Sequence, residues 1–266
     1  MYSDMPSNMQ GSLSELGDID DKVDSQVTDM IKPIFQDPLE KSVTKEEDDI
    51  SSVIEPKGRG NDDGSAIARG AATTGDGDGD GNVYVVDYSN IRVQKFDNQG
   101  DFISKWGTKG KADGQFGVPH GVDVDKEGNV YVVDMDNNNV QKFDSDGNFL
   151  FKWGTTGGNE GQFKKPAGLD IDKNDNIYVV DAGNSRIQKF DSNGEFLTAW
   201  GSKGPGNGQL ASPHDVAVDS EGNVCVVEQL NFRVQKFDSN GEFLSTWGSK
   251  GSNNDQFLDP HSIVVS

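Results

Sequence analysis

Four tryptophans, Trp106, Trp153, Trp200 and Trp247, recur every 47 residues, and each is followed by glycine. Pro119, Pro166, Pro213 and Pro260 keep the same interval, as do Phe96, Phe143, Phe190 and Phe237. A fixed period in the range of about 20–50 residues marks a repeat architecture, in which each unit buries its apolar face against its neighbours. The chain is therefore one unit read four times, and equivalent residues must occupy equivalent places in space.

Each unit reads as four short β-runs with turn chemistry between them. In the second unit these are 121–125, 129–134, 140–144 and 148–153, separated by Lys126-Glu127-Gly128, Asp136-Asn137-Asn138 and Ser145-Asp146-Gly147. Glycine, Asp and Asn supply turn conformations that β-branched residues resist. Four strands in 40–50 residues is the arithmetic of a β-propeller blade. The chain lacks the Trp-Asp dipeptide of one propeller class and the repeated double glycine of another.

The units share Pro-[His/Ala]-Gly-Val-x-Val-Asp, Gly-Asn-Val-Tyr-Val-Val-Asp, Asn-x-Arg-[Val/Ile]-Gln-Lys-Phe-Asp, Gly-Glu-Phe-Leu and Trp-Gly. That series resembles the NHL repeat family over residues 80–266. The resemblance implies an all-β propeller of four NHL-type four-stranded blades: units 80–118, 119–165, 166–212 and 213–259, with a strand at 260–266. The first unit has no innermost strand at 72–78, whereas Pro260–Ser266 is an innermost strand with nothing after it. The expectation is that 260–266 pairs with the first three strands and closes four blades, removing an exposed edge. An open arc, completed by a second copy in a homo-oligomer, is the alternative.

Residues 1–75 carry none of this signature; acidic residues outnumber basic ones about two to one there, and aromatics are few. Such composition cannot offset chain entropy by burial, so a disordered acidic tail and linker is expected. The whole chain has net charge −21. Acidity disfavours nucleic acid and anionic membrane surfaces and favours basic peptides or divalent cations. A single cysteine, Cys225, excludes an intrachain disulfide and a Cys-rich zinc module; it stands where other units have tyrosine, which suggests a packed core thiol. No signal peptide and no apolar run long enough to span a bilayer is evident, so a cytoplasmic location is expected.

Three groups of residues are candidates for chemistry. The three histidines, His120, His214 and His261, all follow the repeat proline, with Ala167 at the remaining equivalent position. Convergent on a channel rim, three imidazoles suit Zn²⁺ with an open fourth position. The chain also resembles, more distantly, peptidyl-hydroxyglycine amidating lyase, and that likeness implies a zinc-dependent lyase or hydrolase. A second group is Asp76, Asp78 and Asp80 with Asp87 eleven residues after Asp76, oxygen ligands at the loop positions that Ca²⁺ favours. The same spacing recurs in softened form in other units, where it builds a hairpin turn. The third is Asp87-Asn90-Arg92, repeated as Asp181-Asn184-Arg186 and Glu228-Asn231-Arg233, while the second unit has Asn139 in place of arginine. These residues are expected to hydrogen-bond one another, and Arg92, Arg186, Arg233 and the symmetry-breaking Asn139 are the binding-face candidates. Lys95, Lys142, Lys189 and Lys236 form a further ring, expected to be solvated. NHL domains of tripartite-motif ubiquitin ligases imply the leading functional expectation, a non-catalytic scaffold for a protein or peptide. A calcium-stabilised surface module is the remaining one.

Overall fold

The computed structural model describes residues 68–70 and 81–265. Its strands are β1 (Ala68–Gly70), β2 (Val83–Asp87), β3 (Arg92–Phe96), β4 (Phe102–Trp106), β5 (Pro119–Val124), β6 (Val130–Asp134), β7 (Asn139–Phe143), β8 (Phe149–Trp153), β9 (Thr155–Thr156) and β10 (Gln162–Phe163). They continue as β11 (Leu169–Ile171), β12 (Ile177–Asp181), β13 (Arg186–Phe190), β14 (Phe196–Trp200), β15 (Pro213–Val218), β16 (Val224–Glu228), β17 (Arg233–Phe237) and β18 (Phe243–Trp247). Four antiparallel four-stranded sheets result, β1–β4, β5–β8, β11–β14 and β15–β18, each in simple sequence order. These are the blades that the repeat predicts, with strand ends shifted by a residue or two.

Alternation explains the local structure. In β2 and β3 every second residue is buried, and the central strands β6, β12 and β16 are buried on both faces. A strand between two layers packs on both sides and so reads as a continuous Val-Tyr-Val-Val run. Turns are pinned by Asp carboxylates: Asp125 Oδ1 accepts the Glu127 and Asn129 N–H groups at 3.1 and 2.8 Å. Asp144, Asp172, Asp191, Asp219 and Asp238 repeat this. The recurrent acidic turn thus shapes the backbone, as its presence in every unit suggested.

Successive blades are joined by one tryptophan each. The Trp106 indole lies 5.8 Å from the Phe143 ring of the next blade, and Trp153–Phe190 and Trp200–Phe237 repeat the contact at 5.8 and 6.0 Å. Each indole also roofs a turn glycine. A Cβ built on Gly147, Gly194 or Gly241 would come within 2.6, 2.8 or 2.5 Å of it, and all three have φ between +78 and +90°. Only glycine meets both demands.

The innermost strands are linked differently. Asp123 Oδ2 accepts the Ile171 N–H at 2.9 Å, Asp170 Oδ2 the Val218 N–H at 2.6 Å, and Asp215 Oδ2 the Ile263 N–H at 3.0 Å. Carboxylates therefore bridge neighbouring innermost segments. The third bridge corrects the closure expectation. Pro260–Val265 forms no strand; it is held against β15 by Asp215, which also accepts the Ser262 hydroxyl at 2.8 Å. It occupies the place where a following blade would begin. The inner place of the first sheet is filled instead by Ala68–Gly70, antiparallel to β2 with Ala68 opposite Val85. Sheet structure thus begins upstream of 76, inside the segment expected to be tail, because an antiparallel partner comes most directly from chain just before β2. No helix among the described residues is long and apolar enough to cross a membrane.

Candidate functional site

Two polar constructions recur in the blades, one between blades and one on the rim. The first begins at the acid ending the second strand. Asp181 Oδ2 accepts Arg186 Nε at 2.8 Å, Asn184 Nδ2 at 2.9 Å and Gln188 Nε2 at 3.1 Å, and Asp181 is fully buried. From this anchor the donors reach the loop after the preceding tryptophan: Asn184 to the Gly157 carbonyl, Arg186 Nη2 to those of Asn159 and Gln162, and Gln188 to Gln162. Glu228, Asn231, Arg233 and Gln235 do the same to Gly204, Gly206 and Gln209. The Asp-Asn-Arg group does bond internally, and Arg186 and Arg233 are spent on clamping one blade to the loop of another. Hydrogen bonds donated by a charged guanidinium are the strong kind.

The second blade departs. Asp134 accepts the Gly117 and Val118 N–H groups and Asn137, and Asn137 reaches the Gly110 carbonyl at 2.8 Å. Asn139 makes no equivalent clamp, and its Oδ1 is buried without a partner. The glutamines Gln141, Gln188 and Gln235 are part of this clamp, and sequence reasoning passed over them. Their constant 47-residue spacing was the available signal.

The lysine expectation meets a different outcome. Lys95 and Lys142 are buried rather than solvated: Lys142 Nζ sits 4.8 Å over the Tyr131 ring and 3.3 Å from Asp125, and Lys95 Nζ donates to the Ser145 carbonyl of the next blade at 3.1 Å. The tyrosine face and an adjoining turn take the charge in place of water. Of the calcium group, Asp76, Asp78 and Asp80 lie outside the described residues. Asp87 is committed to Asn90, Arg92 and Gln94.

The rim holds the histidines. His120 and His214 come from blades that are not neighbours in sequence, yet their rings are 5.0 Å apart, because Ala167 on the blade between is small and buried. His214 and His261 are 4.0 Å apart, and Tyr88 meets His120 edge-on at 6.4 Å. The result is a continuous row, Tyr88–His120–His214–His261. The His214 Nδ1 lies 3.0 Å from the His261 carbonyl, and His261 Nδ1 lies 3.1 Å from Gln229 Nε2. A carbonyl only accepts and an amide nitrogen only donates, so Nδ1 carries the proton in His214 and not in His261. Burial, with the neighbouring His214 next, pushes His120 down to about 4, and burial with His261 lowers His214. Both are therefore neutral near pH 7. The imidazoles stand in file rather than converge, and among the described residues no group of three or more His, Cys, Asp or Glu is arranged to hold a metal ion. The residues present do not fit zinc in this arrangement.

Four-stranded antiparallel sheets joined edge-outward in sequence order define a protein of β-propeller blades. The NHL repeat model matches residues 116–143, 163–190 and 210–237, so three successive units of the chain are similar to NHL repeats. Solved structures share the fold. A streptogramin B lyase is 16% identical over 70% of this chain and 56% of its own, with a TM-score of 0.53. A protein of unknown function from Bacteroides thetaiotaomicron VPI-5482 is 22% identical over 69% and 51%, with a TM-score of 0.57. The Nidogen/Laminin complex contains a chain 17% identical over 70% and 65%, with a TM-score of 0.53. The chain spans about half the length of the first two. No curated protein matches it by sequence.

Proposed function

We propose that the chain is a non-catalytic recognition module that binds a protein or peptide of net positive charge along the rim. The observation that carries this reading is the row Tyr88–His120–His214–His261. Rings in file, edge-on or tilted to one another, offer a line of aromatic contact to an extended partner. The row is also asymmetric, because Ala167 omits one histidine, and a partner needs such a break to dock in one orientation. The net charge of −21 supports a basic partner by steering its encounter. The fold alone carries no activity, since it hosts binding assemblies and a lyase among its structural neighbours.

The test is selection of peptides from a random library on the full chain, followed by affinity measurement against His214→Ala and His261→Ala. Enrichment of Lys and Arg in the peptides is expected, with binding weakened about tenfold or more by either variant, a loss of about 1.4 kcal/mol. Selected peptides that bind both variants as tightly as the unmodified chain refute the rim as the site.

A further inference from the structure

Each joint between blades has an exit half and an entry half, and the fourth and first blades keep one half of each unmatched. On the exit side, Trp247 is 43% exposed, whereas Trp106, Trp153 and Trp200 each roof a glycine of the next blade. Lys95 and Lys189 reach the carbonyls of Ser145 and Ser239 in the following blade, whereas Lys142 and Lys236 pair with Asp125 and Asp219 of their own blades. The Gly251, Asn253 and Gln256 carbonyls are the counterparts of those clamped at Gly204, Gly206 and Gln209. No following blade clamps them among the described residues.

On the entry side the complement is open. Gly100, counterpart of the roofed Gly147, Gly194 and Gly241, has nothing within 4 Å of a built Cβ. Phe102 is 55% exposed where Phe149, Phe196 and Phe243 are partly covered. Arg92 keeps the 2.7 Å bond to its acid, but its Nη atoms meet no carbonyl among the described residues, unlike those of Arg186 and Arg233. Among the described residues, the side chains of Asn90 and Gln94 likewise bond only Asp87. Thus indole meets glycine, lysine meets turn carbonyl, and loop carbonyls meet Asn, Arg and Gln: three complementary pairs, each with an observed geometry elsewhere in the molecule. The exposure of Trp247 and Phe102 leaves this joint unmade among the described residues.

We propose that the chain associates head to tail, the Trp247 face of the fourth blade of one copy seating on the Asn98–Phe102 face of the first blade of a second copy. The contact is heterologous, since the two faces differ, and so it obeys a rule that a two-fold contact does not. A copy damaged only at its exit face still accepts a copy damaged only at its entry face.

The experiment is sedimentation velocity of the unmodified chain, Trp247→Glu, Phe102→Glu and an equimolar mixture of the two variants. The unmodified chain is expected to form species of two or more copies as concentration rises, and each variant alone to remain a monomer. The mixture is expected to recover a two-copy species and nothing larger. A monomeric unmodified chain at about 100 µM, a concentration that populates even weak complexes, overturns the proposal. So does association that survives both variants, or variants that are monomeric and fail to complement. Circular dichroism checks the fold of each. Should either be misfolded, the milder pair Trp247→Ala and Arg92→Ala is expected to show the same complementation.

Discussion

Replacing Asn139 by arginine is expected to stabilise the protein, although Asn139 is buried and the change adds a charge. In blades three and four the equivalent guanidinium bridges an acid and two loop carbonyls, with Arg186 at 2.8, 2.7 and 2.9 Å from Asp181 Oδ2 and the Asn159 and Gln162 oxygens. The second blade offers the same frame: the Asp134 carboxylate, and the Ala112 and Gln115 carbonyls. Ala112 already accepts the Gln115 N–H, and Asn159 accepts the Gln162 N–H as well as Arg186, so a second lone pair suffices. The substitution removes a buried amide oxygen without a partner, worth about 1–3 kcal/mol. It adds hydrogen bonds to a charged group, about 1.5–3 kcal/mol. Ordering the arginine costs about 2 kcal/mol. The net is about 2 kcal/mol of stabilisation, and a domain of this size gains about 2–4 °C in Tm per kcal/mol. Thermal melting of Asn139→Arg should therefore show a rise of about 4–8 °C. The reverse exchange, Arg186→Asn, leaves Asp181 with an unpaired buried charge and should lose about 3–5 kcal/mol. A Tm for Asn139→Arg equal to or below that of the unmodified chain refutes the reading of the clamp.

Three further outcomes follow from the geometry. Gly194→Ala places a Cβ 2.8 Å from the Trp153 ring at φ +78°, whereas Gly208→Ala, at φ +77°, meets nothing within 4 Å. Both carry a backbone penalty of about 1 kcal/mol, so urea midpoints should show Gly194→Ala the weaker by a further 1–3 kcal/mol or so. Acid should destabilise the fold through His120: its folded value of about 4 lies below the ordinary 6.5, so its contribution is present above pH 6.5 and is lost as pH falls from 6.5 to 4. The loss amounts to at most about 3 kcal/mol; His120→Asn should flatten the stability profile in that window, and an unchanged slope refutes the assignment. Cys225 is buried, and burial raises its thiol. Alkylation by iodoacetamide at pH 8 should be slow in the folded protein and fast in urea.

Blade count and strand position were legible because period-two alternation and Gly/Asp/Asn turns are local signals. The bonds between blades were not, because their partners stand 24–27 residues apart in sequence and belong to different repeats. Lys142 looked like a solvated residue on an outer strand, and its cross-strand neighbour Tyr131 with the Asp125 turn of the same blade removes it from water. Ala68-Arg69-Gly70 carries no apolar alternation, so its pairing with β2 rests on proximity alone. The histidines were correctly grouped by register, but register does not say whether equivalent side chains converge or queue. Ala167 decides that.

Rings from the second and fourth blades touch past the third only because its innermost residue ends at a methyl group. The row of rings is continuous only through that gap, so a larger residue at 167 is expected to stand between His120 and His214 and split the row in two.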